Sequence, residues 1–214
     1  MPNPGTPILR SAYRPLAYTV DTVDLDFSLD AEATQVTNRM RCVRNLDAAA
    51  GPVVLFGDGL ELVSLTVDGV APAAGALRQT GTGFELDVDA DELVLEIVTR
   101  INPSANLTLS GLYRSRGGFY TQCEAEGFRR ITYFPDRPDV MARYTVRLEA
   151  DAATCPVLLS NGNLIDSGDL EGGRHYATWH DPFPKPSYLL ALVAGNLVFS
   201  AKDPVGVIQQ LTRV

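Results

Sequence analysis

The residues most able to do chemistry fall in one stretch, "FYTQCEAEGFRRITYFPDRPDVMARY", from Phe119 to Tyr144. Gln122, Cys123, Glu124 and Glu126 lie together there, followed by Arg129, Arg130 and Arg137. On an extended chain Gln122, Glu124 and Glu126 share parity and project to one side, with Ala125 and Gly127 leaving the neighbourhood uncrowded. An amide and one or two carboxylates on a common face can receive a primary ammonium. The carboxylate supplies charge and the amide oxygen a second acceptor. The same residues also read as a surface strand whose glutamates pair with Arg129, Arg130 or Arg137, and local chemistry leaves both readings open.

Other chemistries find less support. Cys123 is next to Glu124, and a neighbouring carboxylate raises a thiol pKa, so a small buried side chain is expected at Cys123 in place of a nucleophile. The two histidines, His175 and His180, are five apart in "RHYATWHD", which places them on opposite faces of a strand and on poorly matched faces of a helix. With no HExxH and no Cys/His cluster, no metal ligands are assigned. No GxSxG elbow, phosphate-binding loop or dinucleotide fingerprint occurs, so no catalytic residue is assigned either.

The elements that carry these residues read as strands. In "TVDLDFSLD", Val23, Leu25, Phe27 and Leu29 alternate with Asp24, Asp26, Ser28 and Asp30. In "TQVTNRMRCVRN", Val36, Met40 and Cys42 face inward and Thr37, Arg39 and Arg41 outward, so acidic and basic faces of successive strands are expected to pair. "LELVSLTVDG" ends in the tight-turn pair Asp68-Gly69. "GFELDVD", "ELVLEIVTRI", "NLTLSGLY", "ARYTVRLEA", "CPVLLSNG", "NLIDSGDL" and "SYLLALVAGNLVF" continue the series. "DGVAPAAGALRQTGTG" is the loosest internal stretch, a loop with one strand. About a dozen short strands at this spacing, with no helical period, predict a sandwich or barrel.

The chain has 214 residues, 45% hydrophobic and 21% charged, which is globular composition and argues against disorder. A net charge of −8 disfavours nonspecific binding to nucleic acid or anionic membranes. Cys42, Cys123 and Cys155 are odd in number and widely spaced, which suits a reducing compartment, and the expected location is the cytoplasm. The N-terminal sequence has no secretory h-region, and no apolar run is long enough to span a bilayer.

At its polar patch the sequence strongly resembles the N-terminal domain of the bacterial aminopeptidase N family of zinc-dependent gluzincins. The motifs are TQCEAEGFR, DRPDV, LLSNGN and DPFPKP, in that order, and the resemblance covers about residues 12 to 198. It implies one large, saddle-shaped, mostly antiparallel all-β sandwich domain over 17–200, preceded by an extended segment over 1–16 and followed by an atypical tail over 201–214. It further implies that this domain packs on a catalytic domain and forms one wall of its active-site cavity. Glu124, facing that cavity, would bind the free α-ammonium of a peptide, Gln122 would contact its first residue, and the Glu124–Ala125 peptide would be cis. Glu126 and Arg130 match the motif as scaffold.

The chain carries no HExxH, no downstream glutamate ligand and no GxMEN segment, so zinc and catalysis are expected from a catalytic domain outside it, and the chain alone is expected to be inactive. The reading is a fragment of a longer metallopeptidase, with peptide N-termini and the parent enzyme's catalytic domain as partners. The alternatives are a stand-alone, non-catalytic β-sandwich binding protein, or one that oligomerises through the face used for docking.

Overall fold

Period-two alternation of apolar and polar residues produces long strands with one dry face. The computed structural model describes residues 9–201 and 209–212, with side chains from 9 to 197. In chain order the strands are β1 (Tyr18–Ser28), β2 (Thr34–Arg44), β3 (Val53–Phe56), β4 (Glu61–Val67), β5 (Leu77–Thr80), β6 (Gly83–Leu86), β7 (Glu92–Ile101) and β8 (Gly111–Ser115). They continue as β9 (Gly118–Gln122), β10 (Met141–Asp151), β11 (Val157–Ser160), β12 (Asn163–Asp169), β13 (Arg174–Pro186), β14 (Leu192–Gly195), β15 (Val198–Ala201) and β16 (Gln209–Thr212). The helical turns among the described residues are short 3-10 turns, and no helix there is long and apolar enough to cross a membrane.

The architecture is all-β with several antiparallel sheets. A seven-stranded sheet runs β12-β13-β10-β1-β2-β7-β4, and its β1–β10 pair is parallel. A four-stranded sheet, β11-β14-β9-β8, holds the strand that leads into the polar patch. A three-stranded sheet runs β3-β6-β5, and β15 pairs with β16.

The inner face of the large sheet carries the residues alternation assigned to it. Val23, Leu25, Phe27, Leu29, Val36, Met40 and Cys42 are all buried. The outer face carries charge. Arg41 and Arg143 each approach Asp21 at 2.5 Å, Arg147 meets Asp26 at 3.3 Å and Glu149 at 3.2 Å, and Arg174 meets Glu149 at 2.7 Å. At Asp68-Gly69 both residues have positive φ, 50° and 80°, as a tight primed turn requires.

Two local expectations change. "NLTLSGLY" is strand only in its last three residues, since β8 begins at Gly111. Asn106 Nδ2 donates to the carbonyls of Ser110 and Leu112 at 2.7 and 2.9 Å, so these residues satisfy their backbone locally, and Leu107 stays exposed. The N-terminal segment is also less simply extended than expected. Arg10–Ala12 forms a 3-10 turn, Tyr13 Oη donates to Asp139 at 2.7 Å, and Arg137 donates to the Arg14 carbonyl at 3.1 Å. Residues 1–8, and 202–208 with 213–214 of the expected tail, lie outside the described residues.

Candidate functional site

β9 delivers the polar patch and stops at Gln122. From there the chain does not stay extended. Gly127 N donates to the Cys123 carbonyl at 2.8 Å and closes a turn around Glu124, Ala125 and Glu126. The shared parity expected for Gln122, Glu124 and Glu126 is therefore replaced by turn geometry, and the Glu124–Ala125 peptide within it is cis.

Gly127 is a glycine for a reason opposite to the openness expected of it. A Cβ there would sit 2.3 Å from the Gln122 carbonyl oxygen and 3.0 Å from Gly111 N. The turn thus folds back hard against the end of its own strand and the start of β8. The 3-10 turn Phe128–Arg130 follows directly.

This loop is anchored on several sides. Phe128 is buried, with its ring edge-on to Phe134 at 4.9 Å. Phe56 and Phe134 exchange backbone hydrogen bonds at 2.8 and 3.1 Å, and Asp58 N donates to the Arg129 carbonyl at 2.9 Å. From the large sheet, Asn38 Nδ2 donates to the Tyr133 carbonyl at 3.2 Å and Thr99 Oγ1 to the Ile131 carbonyl at 3.0 Å. Sequence reading missed Asn38 and Thr99. Their signal was a polar residue at an inward position of an alternating strand, which is costly to bury without a partner.

The charged residues of the patch separate clearly. Glu126 pairs with Arg129 at 3.3 Å, Arg130 with Asp58 at 2.7 Å, and Arg137 with Asp139 at 2.6 Å. Arg129 is held mainly by Asp136, with Nε to Oδ2 at 3.0 Å. The surface-pairing alternative thus describes Glu126 with Arg129, whereas Arg130 and Arg137 pair with aspartates instead of the patch glutamates. The Glu124 carboxylate makes no ion pair among the described residues.

Glu124 is exposed, so the carboxylate expected to face a cavity points to solvent on this chain. Gln122 is exposed beside it, and its Nε2 donates to the Glu124 carbonyl at 3.3 Å, which leaves Oε1 as an outward acceptor. The structure therefore brings Gln122 and Glu124 together at the surface and turns Cys123 inward. Cys123 is 3% exposed, and burial, with Asp136 nearby, pushes its thiol up to about 12.

The histidines do not meet. His175 Nε2–H donates to the Cys155 carbonyl at 2.7 Å, while His180 Nδ1 lies 3.3 Å from Thr145 Oγ1. Among the described residues no group of three or more His, Cys, Asp or Glu is placed to hold a metal ion. These side chains do not fit a zinc site, and no step through zinc is assigned to them.

Comparison with known proteins agrees with this fold. The model of the Peptidase M1 N-terminal domain matches residues 78–189. The chain is 51% identical over 185 residues to aminopeptidase N of Caulobacter vibrioides, covering 86% of this chain and 21% of that protein. It is 46% identical over 187 residues to aminopeptidase N of Escherichia coli, covering 87% and 21%. The chain therefore spans about a fifth of the length of these curated relatives.

Among solved structures, Legionella pneumophila aminopeptidase A in complex with aspartic acid superposes with a TM-score of 0.84 at 36% identity, over 90% of this chain and 23% of that one. An M1 zinc metallopeptidase from Deinococcus radiodurans, 18% identical over 90% of this chain and 45% of its own, shares the fold with a TM-score of 0.74. With the family model matching just over half of its residues, and with strong similarity to aminopeptidase N over most of its length, the chain belongs to the Peptidase M1 N-terminal domain family.

Proposed function

We propose that this domain recognises the free α-ammonium of peptide substrates for an aminopeptidase N, with Glu124 as the anionic anchor and Gln122 as the second acceptor. One observation carries the reading: Glu124 is exposed without an ion-pair partner among the described residues, while Glu126, two residues on, is paired with Arg129 at 3.3 Å. An ammonium brings three donors and a full charge. It would donate one charge-assisted hydrogen bond to the Glu124 carboxylate and a second to Gln122 Oε1, the side-chain acceptor that remains while Nε2 donates to the backbone. An internal peptide amide offers no charge and leaves the carboxylate unpaired, so the site discriminates chain ends from chain interiors.

In this reading Glu124 fixes where the peptide begins, and thereby which bond is presented for hydrolysis. The zinc and the hydrolytic residues belong to a catalytic domain that packs on this one. That domain supplies the opposite wall and turns the solvent-facing Glu124 into a cavity-facing group. A cytoplasmic location belongs to the same proposal, and the three buried free cysteines support it.

The test uses the polypeptide of the natural reading frame at its full length. Glu124→Ala is expected to raise KM for an alanine or leucine chromogenic amide roughly 10- to 100-fold, the equivalent of one hydrogen bond to a charged group. Glu124→Gln should recover part of the loss. An unchanged KM in Glu124→Ala would remove Glu124 from recognition. A full-length product without peptidase activity would favour the stand-alone binding protein.

A further inference from the structure

Glu124 stands on a turn, and turns at a surface hold one geometry only if something fixes their feet. Here the fixing group is a buried carboxylate 12 residues downstream. Asp136 is 3% exposed, and a carboxylate so placed is costly unless it is fully partnered. Its Oδ2 accepts from Arg129 N at 3.1 Å and from Arg129 Nε at 3.0 Å. Its Oδ1 accepts from Ser187 Oγ at 2.5 Å, and its backbone carbonyl accepts from Arg129 Nη2 at 2.8 Å. Arg129 is thus held by a two-pronged contact and by its own backbone.

The same guanidinium does two more things. Its Cζ lies 4.7 Å from the Phe56 ring centroid, a cation–π stack that confines its plane. Its Nη1 faces Glu126 at 3.3 Å. The Glu126 side chain is 69% exposed, so that ion pair alone contributes little. The order of strength is clear: Asp136 holds Arg129, and Arg129 then occupies Glu126. Since Gly127 N is bonded to the Cys123 carbonyl, the closed turn and the 3-10 turn that bears Arg129 move together.

We propose that Asp136 and Arg129 are positioning residues for the ammonium site: Asp136 holds Arg129, which sets the orientation of the Glu124 turn and keeps the Glu126 side chain paired, so that in this turn Glu124 is left to take a cation. This step rests on the ammonium reading given above. Neither residue touches the ligand. Ser187, from the 3-10 turn ahead of β14, completes the clamp and ties the turn to the sheet that contains β9.

The test measures the free-amine preference, defined as the Kd of N-acetyl-leucinamide divided by the Kd of leucinamide, by calorimetry on the natural-length protein. Arg129→Lys keeps the charge but loses the fork. It is expected to lower the preference on the order of tenfold. In a Glu124→Ala background the same change should leave the preference within about twofold, because there is no anchor left to misplace. Asp136→Asn should follow Arg129→Lys, and Arg129→Lys decides alone if Asp136→Asn does not fold.

A full wild-type preference in Arg129→Lys overturns the proposal. So does an equal loss with and without Glu124, which would mark general structural damage. The underlying ammonium reading fails separately, if wild type shows no preference or if Glu124→Ala keeps it.

Discussion

Gly127 shows how one missing side chain shapes the candidate site. The methyl group of an alanine there would collide with the Gln122 carbonyl oxygen, 2.3 Å away, and backbone cannot step aside as a flexible side chain can. Gly127→Ala is expected to destabilise the chain by roughly 1–3 kcal/mol, read from denaturant unfolding, and to weaken leucinamide binding as well. Cys123 faces the opposite way from its neighbour Glu124 and is sealed by the fold. With its thiol pushed up to about 12, it should resist a thiol reagent at pH 8 until the protein unfolds. Rapid labelling of Cys123 in the native chain, detected by mass spectrometry, would contradict the placement. The turn residues were identifiable in the sequence as a polar cluster. Their closed geometry was not, because residue types alone do not mark that β9 ends at Gln122 and that the chain turns there.

At the scale of elements, the strands β2, β1, β10 and β13 hold two groups of opposite charges on their outer face, Arg41–Asp21–Arg143 and Asp26–Arg147–Glu149–Arg174. Partial burial opposes ionisation of Glu149, but hydrogen bonds from Arg174 and Arg147 outweigh it and hold the carboxyl below its ordinary value. A group whose folded pKa is depressed stabilises the fold above its unfolded pKa, and that stability disappears as pH falls through the folded value. Glu149→Gln should therefore melt lower than wild type at pH 7, with the gap closing once the pH drops below about 4. A gap that widens on acidification would reverse the assignment. Alternation identified the faces of β1 and β2 residue by residue, since one buried face imposes a strict period. It failed at 106–110, where Asn106 caps a loop with its own side chain.

For the whole molecule, the large sheet's inner face is the stabilising mass against which the site loop rests. Phe27 is fully buried near the C-terminal end of β1, and Phe27→Ala should cost about 3–5 kcal/mol in urea unfolding. A second whole-chain expectation concerns metal. With His175 and His180 on opposite faces and engaged separately, metal analysis of the 214-residue chain should find no stoichiometric zinc. One zinc per chain would show that the described residues do not account for its metal chemistry.

The sequence by itself determined the all-β class, the dry and wet faces of the long strands, the Asp68-Gly69 turn, and the presence of Gln122 and Glu124 in one motif. These follow from local rules: period-two alternation, turn chemistry and adjacent residue types. Only the tertiary structure decided that among the described residues Glu126 has an ion-pair partner and Glu124 has none, that Glu124 faces solvent on this chain, and that Asn38, Thr99, Asp136 and Ser187 hold the loop. Those outcomes depend on which distant strands meet. A buried polar group finds its partner through chain topology, which local residue patterns do not encode.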